Sequence, residues 1–210
     1  MDKKLLLVGN GGHAASIIAA LAGTGWQVMG AVVAPGSPCR RHKPARVIGF
    51  EQDLPHLLAQ ADGVLLAVGQ IEDPTPRIRL FQWLQQLHAP LITLVAANAS
   101  VAETAQLGVG TVVLQQALVN AYARVGMNAI VNSQALIEHD VVVGDHCHIS
   151  TGARINGGAV IGRRCFIGSG AIIGHGVRLG DDVVIGAGSV VLRDITAPGV
   201  YVGQPLRRVR

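Results

Sequence analysis

The tetrapeptide Ile137-Glu138-His139-Asp140 offers the most direct route to chemistry in this 210-residue chain. Imidazole changes charge near neutral pH, so a histidine flanked by two acids can take a proton from a nucleophile. An acid that accepts the Nδ1 hydrogen also fixes the tautomer. The same spacing fits a solvated polar corner. His146 and His148 follow close behind, and His175 lies further on, at the same place in its repeat as His139. Each also reads as a surface histidine. A zinc site of the β-helix carbonic anhydrase kind needs a further histidine at position 180, where Gly180 stands, so no metal is expected.

The turn Gly9-Asn10-Gly11-Gly12-His13-Ala14 is a second candidate. It fits G-x-G-x-x-A between an apolar strand and a helix, and its backbone N–H groups can cradle a phosphate. A dinucleotide site also wants an acid about 20 residues on. Here the second strand ends Ala31-Val32-Val33-Ala34, so NAD is not expected. One nucleotide-sugar phosphate is the functional reading, and a tight structural turn is the plain one. Cys39-Arg40-Arg41-His42-Lys43-Pro44 and Leu206-Arg207-Arg208-Val209-Arg210 are basic stretches that either meet phosphate or face solvent.

Two grammars position these residues. Up to about residue 90, strand-like and helix-like stretches alternate: Lys4–Val8, Gln27–Val33 and Gly63–Val68 as strands, with Ala14–Ala22, Leu54–Gln60 and Pro76–Leu87 as helices. That alternation predicts a small parallel α/β sheet. From Val95 to Thr196 a six-residue beat takes over. Val, Ile or Leu stands at every sixth position from 95 to 191, and the residue four places later is mostly small. Such a period marks a parallel β-helix with three hexads per coil. Glycine recurs at the second place, at Gly108, Gly126, Gly144, Gly162, Gly168, Gly174, Gly180 and Gly186, where the chain is expected to turn a corner. The predicted domains are therefore residues 1–90, Rossmann-like, and 91–210, a β-helix with a C-terminal tail.

Bulk properties agree with this plan. Hydrophobic residues make up 50% and aromatics only 3%, which suits a narrow aliphatic prism. With 14% charged residues, substantial burial between subunits is expected. The net charge of +4 is mild and lacks an aromatic-plus-basic platform, so nucleic acid is not an expected partner. The apolar run at Leu5–Val8 is too short for a signal peptide, and no segment reaches a membrane span. Cys147 and Cys165 are one full coil apart and should stack as buried thiols in a cytoplasmic protein.

Taken together, the chain resembles the PglD/NeuD-like sugar acetyltransferases over nearly its whole length. The resemblance rests on Val8–His13, Ala67-Val68-Gly69-Gln70, Asn132, Ile137–Asp140, Gly144–His148, Asn156-Gly157-Gly158 and Val202-Gly203-Gln204-Pro205. It implies a left-handed prism, a homotrimer, acetyl-CoA in the groove between neighbouring prisms, and a nucleotide-sugar acceptor held by the α/β domain. It implies His139 as general base, Asp140 as its supporting acid, and His148, Ser169 and Ala187 on the acetyl-CoA. Gly11, Gly12, His13, Gly49, Gly69, Gln70 and Asn132 fall on the substrate side. Members that read uracil carry acids after strand two, where this chain has Val33 and Ala34, so the resemblance leaves the base open.

The implied reaction moves an acetyl group to the amine of a nucleotide-linked amino-deoxy-sugar. Two other readings are O-acetylation of a sugar hydroxyl, as on a sialic-acid-like acceptor, and a non-catalytic trimeric nucleotide-sugar-binding scaffold.

Overall fold

Leu5, Leu6, Leu7 and Val8 form a run with no polar member, and all four are buried. A strand apolar on both faces belongs inside a parallel sheet. The computed structural model, which describes residues 3–37, 44–71 and 73–210, places it there. Strands β1 (Lys3–Val8), β2 (Trp26–Val33), β3 (Val47–Phe50) and β4 (Gly63–Leu66) run parallel in the order β3-β2-β1-β4. Helices α1 (Gly12–Ala20), α2 (Leu54–Leu58) and α3 (Thr75–Gln86) connect or follow them. The alternation predicted from sequence is present, with β3 added. That strand is short and interrupted by Gly49, whose missing Cβ would lie 2.9 Å from Leu57 Cδ1. The basic loop at 39–43 lies outside the described residues.

The carboxyl end of β4 is held from α3. Arg77 is fully buried, and its Nη1 donates to Leu66 O at 3.0 Å and Val68 O at 2.7 Å. Burial pulls its pKa down to about 9, so at neutral pH it remains a cation stapling that strand end.

The chain divides into two compact units, Met1–Ala97 and Asn98–Arg210. The second is a parallel β-helix. Its two-residue strands pair with strands three hexads away, as in Ile130↔His148, Leu136↔Arg154 and Val142↔Val160. Three hexads thus close each coil. The first-place aliphatics fill the interior together with the small fifth-place residues, as at Ile137, Val141, Ile149, Ala153, Ile155 and Ala159. One expected detail is corrected. The corner turn falls on the fourth place, where every residue from Gly110 to Gly188 has φ between +54° and +74°. The second-place glycines serve a different need. A Cβ on Gly108, Gly126, Gly144, Gly162, Gly168 or Gly180 would sit 2.4–2.8 Å from the next coil.

Cys147 and Cys165 are free thiols on adjacent coils, both buried, with Cys165 N donating to Cys147 Sγ at 3.4 Å. Burial pushes the Cys147 thiol well above its usual pKa, which makes it an inert core residue.

Candidate active site

Asp140 occupies a fourth-place corner with φ +60°, a conformation that aspartate tolerates better than most residues. The turn brings its Oδ2 to 2.8 Å from His139 Nδ1. An ionised carboxylate can only accept, so Nδ1 carries the hydrogen and Nε2 keeps its lone pair. The ring lies over Gly157 of the next coil: a Cβ there would come within 2.7 Å of Nε2. Glycine at this place keeps the basic nitrogen approachable. The histidine side chain is half exposed, at 53%, so a reactant can reach it.

Two asparagines brace the neighbouring groups by the same device. Asn120 Oδ1 accepts from Ala121 N at 2.7 Å, which turns its Nδ2 to donate to Glu138 Oε2 at 2.8 Å. Glu138 Oε2 in turn accepts from His139 N at 3.3 Å. Asn132 Oδ1 accepts from Ser133 N at 2.8 Å, and its Nδ2 lies 3.2 Å from His148 Nε2. A backbone N–H can only donate, so the Asn132 amide orientation is fixed and His148 Nε2 is the acceptor. His148 stands at an outward place, yet only 6% of it is exposed. Asn132 bonds one end, and Phe166 meets it edge-to-face at 5.2 Å.

The β-helix does not bring all of these residues to one corner. His139 belongs to the corner column of Ala121, Gly157 and His175, defined by Asp140 N→Ala121 O and Gly158 N→His139 O. Ser169 and Ala187 belong to the column of Ser133 and Thr151, defined by Gly170 N→Thr151 O and Gly188 N→Ser169 O. His148 sits on the strand that leads into that second column, and Ser169 Oγ is 3.0 Å from Ser150 Oγ. One face of the prism separates the two columns, a span of roughly 15 Å.

In the first unit, Gly11 caps α1, Gly12 opens it and His13 lies in its first turn. Gly69 leaves room beside His13, since a Cβ would be 3.3 Å from the His13 Cβ. Gln70 is 3% exposed. Gly49 is packed against Leu57 and Asp53. A cavity of about 540 Å³ opens from the Gly9-Asn10-Gly11 turn. Sequence reading overlooked three of its lining residues, Phe50, Glu51 and Arg79. Glu51 and Arg79 are far apart in the chain and form an ion pair at 3.0 Å. The available signal was the scarcity of aromatics: Phe50 is one of three phenylalanines, and it is 44% exposed.

A family model for bacterial transferase hexapeptide repeats matches residues 158–193. A histidine-to-alanine mutant of GDP-perosamine N-acetyltransferase from Caulobacter crescentus, solved with CoA and GDP-perosamine, is 30% identical over 99% of this chain and 97% of its own, with a TM-score of 0.90. The chain belongs to the PglD/NeuD-like sugar acetyltransferases. The acetyltransferase domain of PglB from Neisseria gonorrhoeae, solved with acetyl coenzyme A, is 28% identical over 100% of both chains, with a TM-score of 0.84. A comparison with curated proteins returned no match. Membership of this family makes the prism a left-handed β-helix, the handedness that the resemblance implied.

Proposed function

We propose that this sugar acetyltransferase moves an acetyl group from acetyl-CoA to the amine of a nucleotide-linked amino-deoxy-sugar, with His139 as general base. The observation that carries the reading is the Asp140–His139 pair at 2.8 Å with Nε2 held open over Gly157. The amine nitrogen attacks the thioester carbonyl, forming a C–N bond. The C–S bond then breaks. Nε2 takes a proton from the amine and returns one to the departing thiolate, so CoA leaves as the thiol. Asp140 steadies the imidazolium in between.

The separation of the two corner columns supports a homotrimer. His139 of one prism would face the corner of a neighbour that carries His148, Ser169 and Ala187, and acetyl-CoA would lie in the groove between them. Asn132 acts by orienting His148. The N-terminal turn of α1, with Gly11, Gly12 and His13, receives phosphate. Gly69 and Gln70 shape the sugar side; residues 1–90 are the nucleotide-sugar-binding domain and residues 91–210 the acetyltransferase domain. No helix among the described residues is long and apolar enough to cross a membrane. A cytoplasmic enzyme fits its dependence on acetyl-CoA.

The relatives supply the acceptor class to test first. Incubation of acetyl-CoA with GDP-, UDP- and dTDP-linked 4-amino sugars should release CoA thiol with at least one of them. The product should gain one acetyl mass that survives hydroxylamine, as an amide does and an ester does not. Absence of acetyl-CoA binding by calorimetry would defeat the proposal and leave the scaffold reading.

A further inference from the structure

The cavity beside the glycine turn has the makings of a base-reading site that no sequence motif announced. Its walls include Val33, Val47 and Leu80. Phe50 offers an exposed aromatic face, although the chain hides most of its large apolar side chains. Glu51 and Arg79 are the only charged residues lining the cavity among the described residues, with Arg79 Nη2 placed 3.2 and 3.0 Å from the two Glu51 carboxylate oxygens. Gly9, Asn10 and Gly11 also line it, where the backbone suits a phosphate. A pocket lined by a glycine turn suited to phosphate, an aromatic face and a charged pair has the parts that a nucleotide needs.

Resting on the acetyltransferase reading above, we infer that the Glu51–Arg79 pair selects guanine as the base of the acceptor. The carboxylate of Glu51 presents two adjacent acceptors. Among the common bases only guanine offers two adjacent donors on its Watson–Crick edge, N1–H and the N2 amino group, and these match a carboxylate two-for-two. The neighbouring edge atom of guanine is O6, an acceptor, which suits a guanidinium donor from Arg79. Uracil and thymine place one N–H between two carbonyls, so a carboxylate gains one bond and meets a repelling oxygen. Adenine turns a ring nitrogen, itself an acceptor, toward the carboxylate. Val33, the last residue of β2, and Ala34, the first after it, provide apolar wall and no competing acid.

Calorimetric titration of the intact protein with GDP, IDP, UDP, dTDP and ADP tests this directly. GDP should bind at least about tenfold more tightly than UDP, dTDP or ADP. IDP, which lacks only the N2 amino group, should bind about tenfold more weakly than GDP. That comparison needs no mutant, so it is immune to misfolding. Glu51→Gln should erase most of the GDP preference, because its amide presents a donor to the N2 amino group, while binding of UDP changes little. Equal affinity for GDP and UDP, equal affinity for GDP and IDP, or an unchanged GDP:UDP ratio in a folded Glu51→Gln protein would overturn the inference. Acetyl transfer to a UDP- or dTDP-linked amine in the same preparation would refute guanine selection alone. Failure to bind acetyl-CoA would instead strike the acetyltransferase reading.

Discussion

His139 works through what it is denied as much as through what it is given. Asp140 occupies one ring nitrogen, and the missing side chain of Gly157 leaves room at the other. His139→Ala should lower turnover by about 10²–10⁴-fold with little change in acetyl-CoA affinity, measured by thiol release and calorimetry. Gly157→Ala should imitate it in part. A methyl group 2.7 Å from Nε2 must push the ring aside, so turnover should fall about tenfold or more while the circular dichroism spectrum stays that of wild type. The catalytic candidate was legible in sequence because its two members are adjacent. Glu51 and Arg79 were not, since α2 and β4 lie between them in the chain and only the fold of the α/β unit brings them into one pocket.

Individual elements show why some features could be read and others not. The β-helix announces itself because each hexad buries the same two places, and no distant partner is needed to see it. The role of its glycines was misjudged from sequence, because corner conformation and crowding between coils both favour glycine. Geometry separates the two. Gly144→Ala drives a Cβ to 2.8 Å from the Gly162 backbone and should cost about 1–3 kcal/mol by chemical denaturation. Gly152→Asn, at φ +65° with open space around it, should change stability by less than about 0.5 kcal/mol. β3 escaped notice for the converse reason: so short a strand with a glycine inside carries too little period to stand out. In the same unit, Arg77→Met should leave the carbonyls of Leu66 and Val68 without their donor and cost about 3 kcal/mol in thermal melts.

At the scale of the whole molecule, a single chain carries the proton acceptor and the cofactor-side residues on different corners of its prism. Sedimentation should therefore find a particle of about 65 kDa, three copies of the 21.8 kDa chain. A sharper measurement is complementation. His139→Ala and Ser169→Arg proteins should each be inactive alone. Refolded together, each mixed trimer contains one interface with both corners intact and should recover about a third of a normal trimer's activity. No recovery, with mixed trimers verified by native mass spectrometry, would place both sets of residues in one subunit's site. The constant three-hexad offset between stacked strands has a separate consequence for how such a chain can change length. Adding or deleting one whole turn of three hexads is a screw operation that returns every later side chain to its own corner. Any other increment rotates the remainder of the prism out of phase. Length in this half of the protein is thus quantised, and a spliced turn is tolerable outside the coils from Asn120 to Ala187, within which it would slide a new stair into the site.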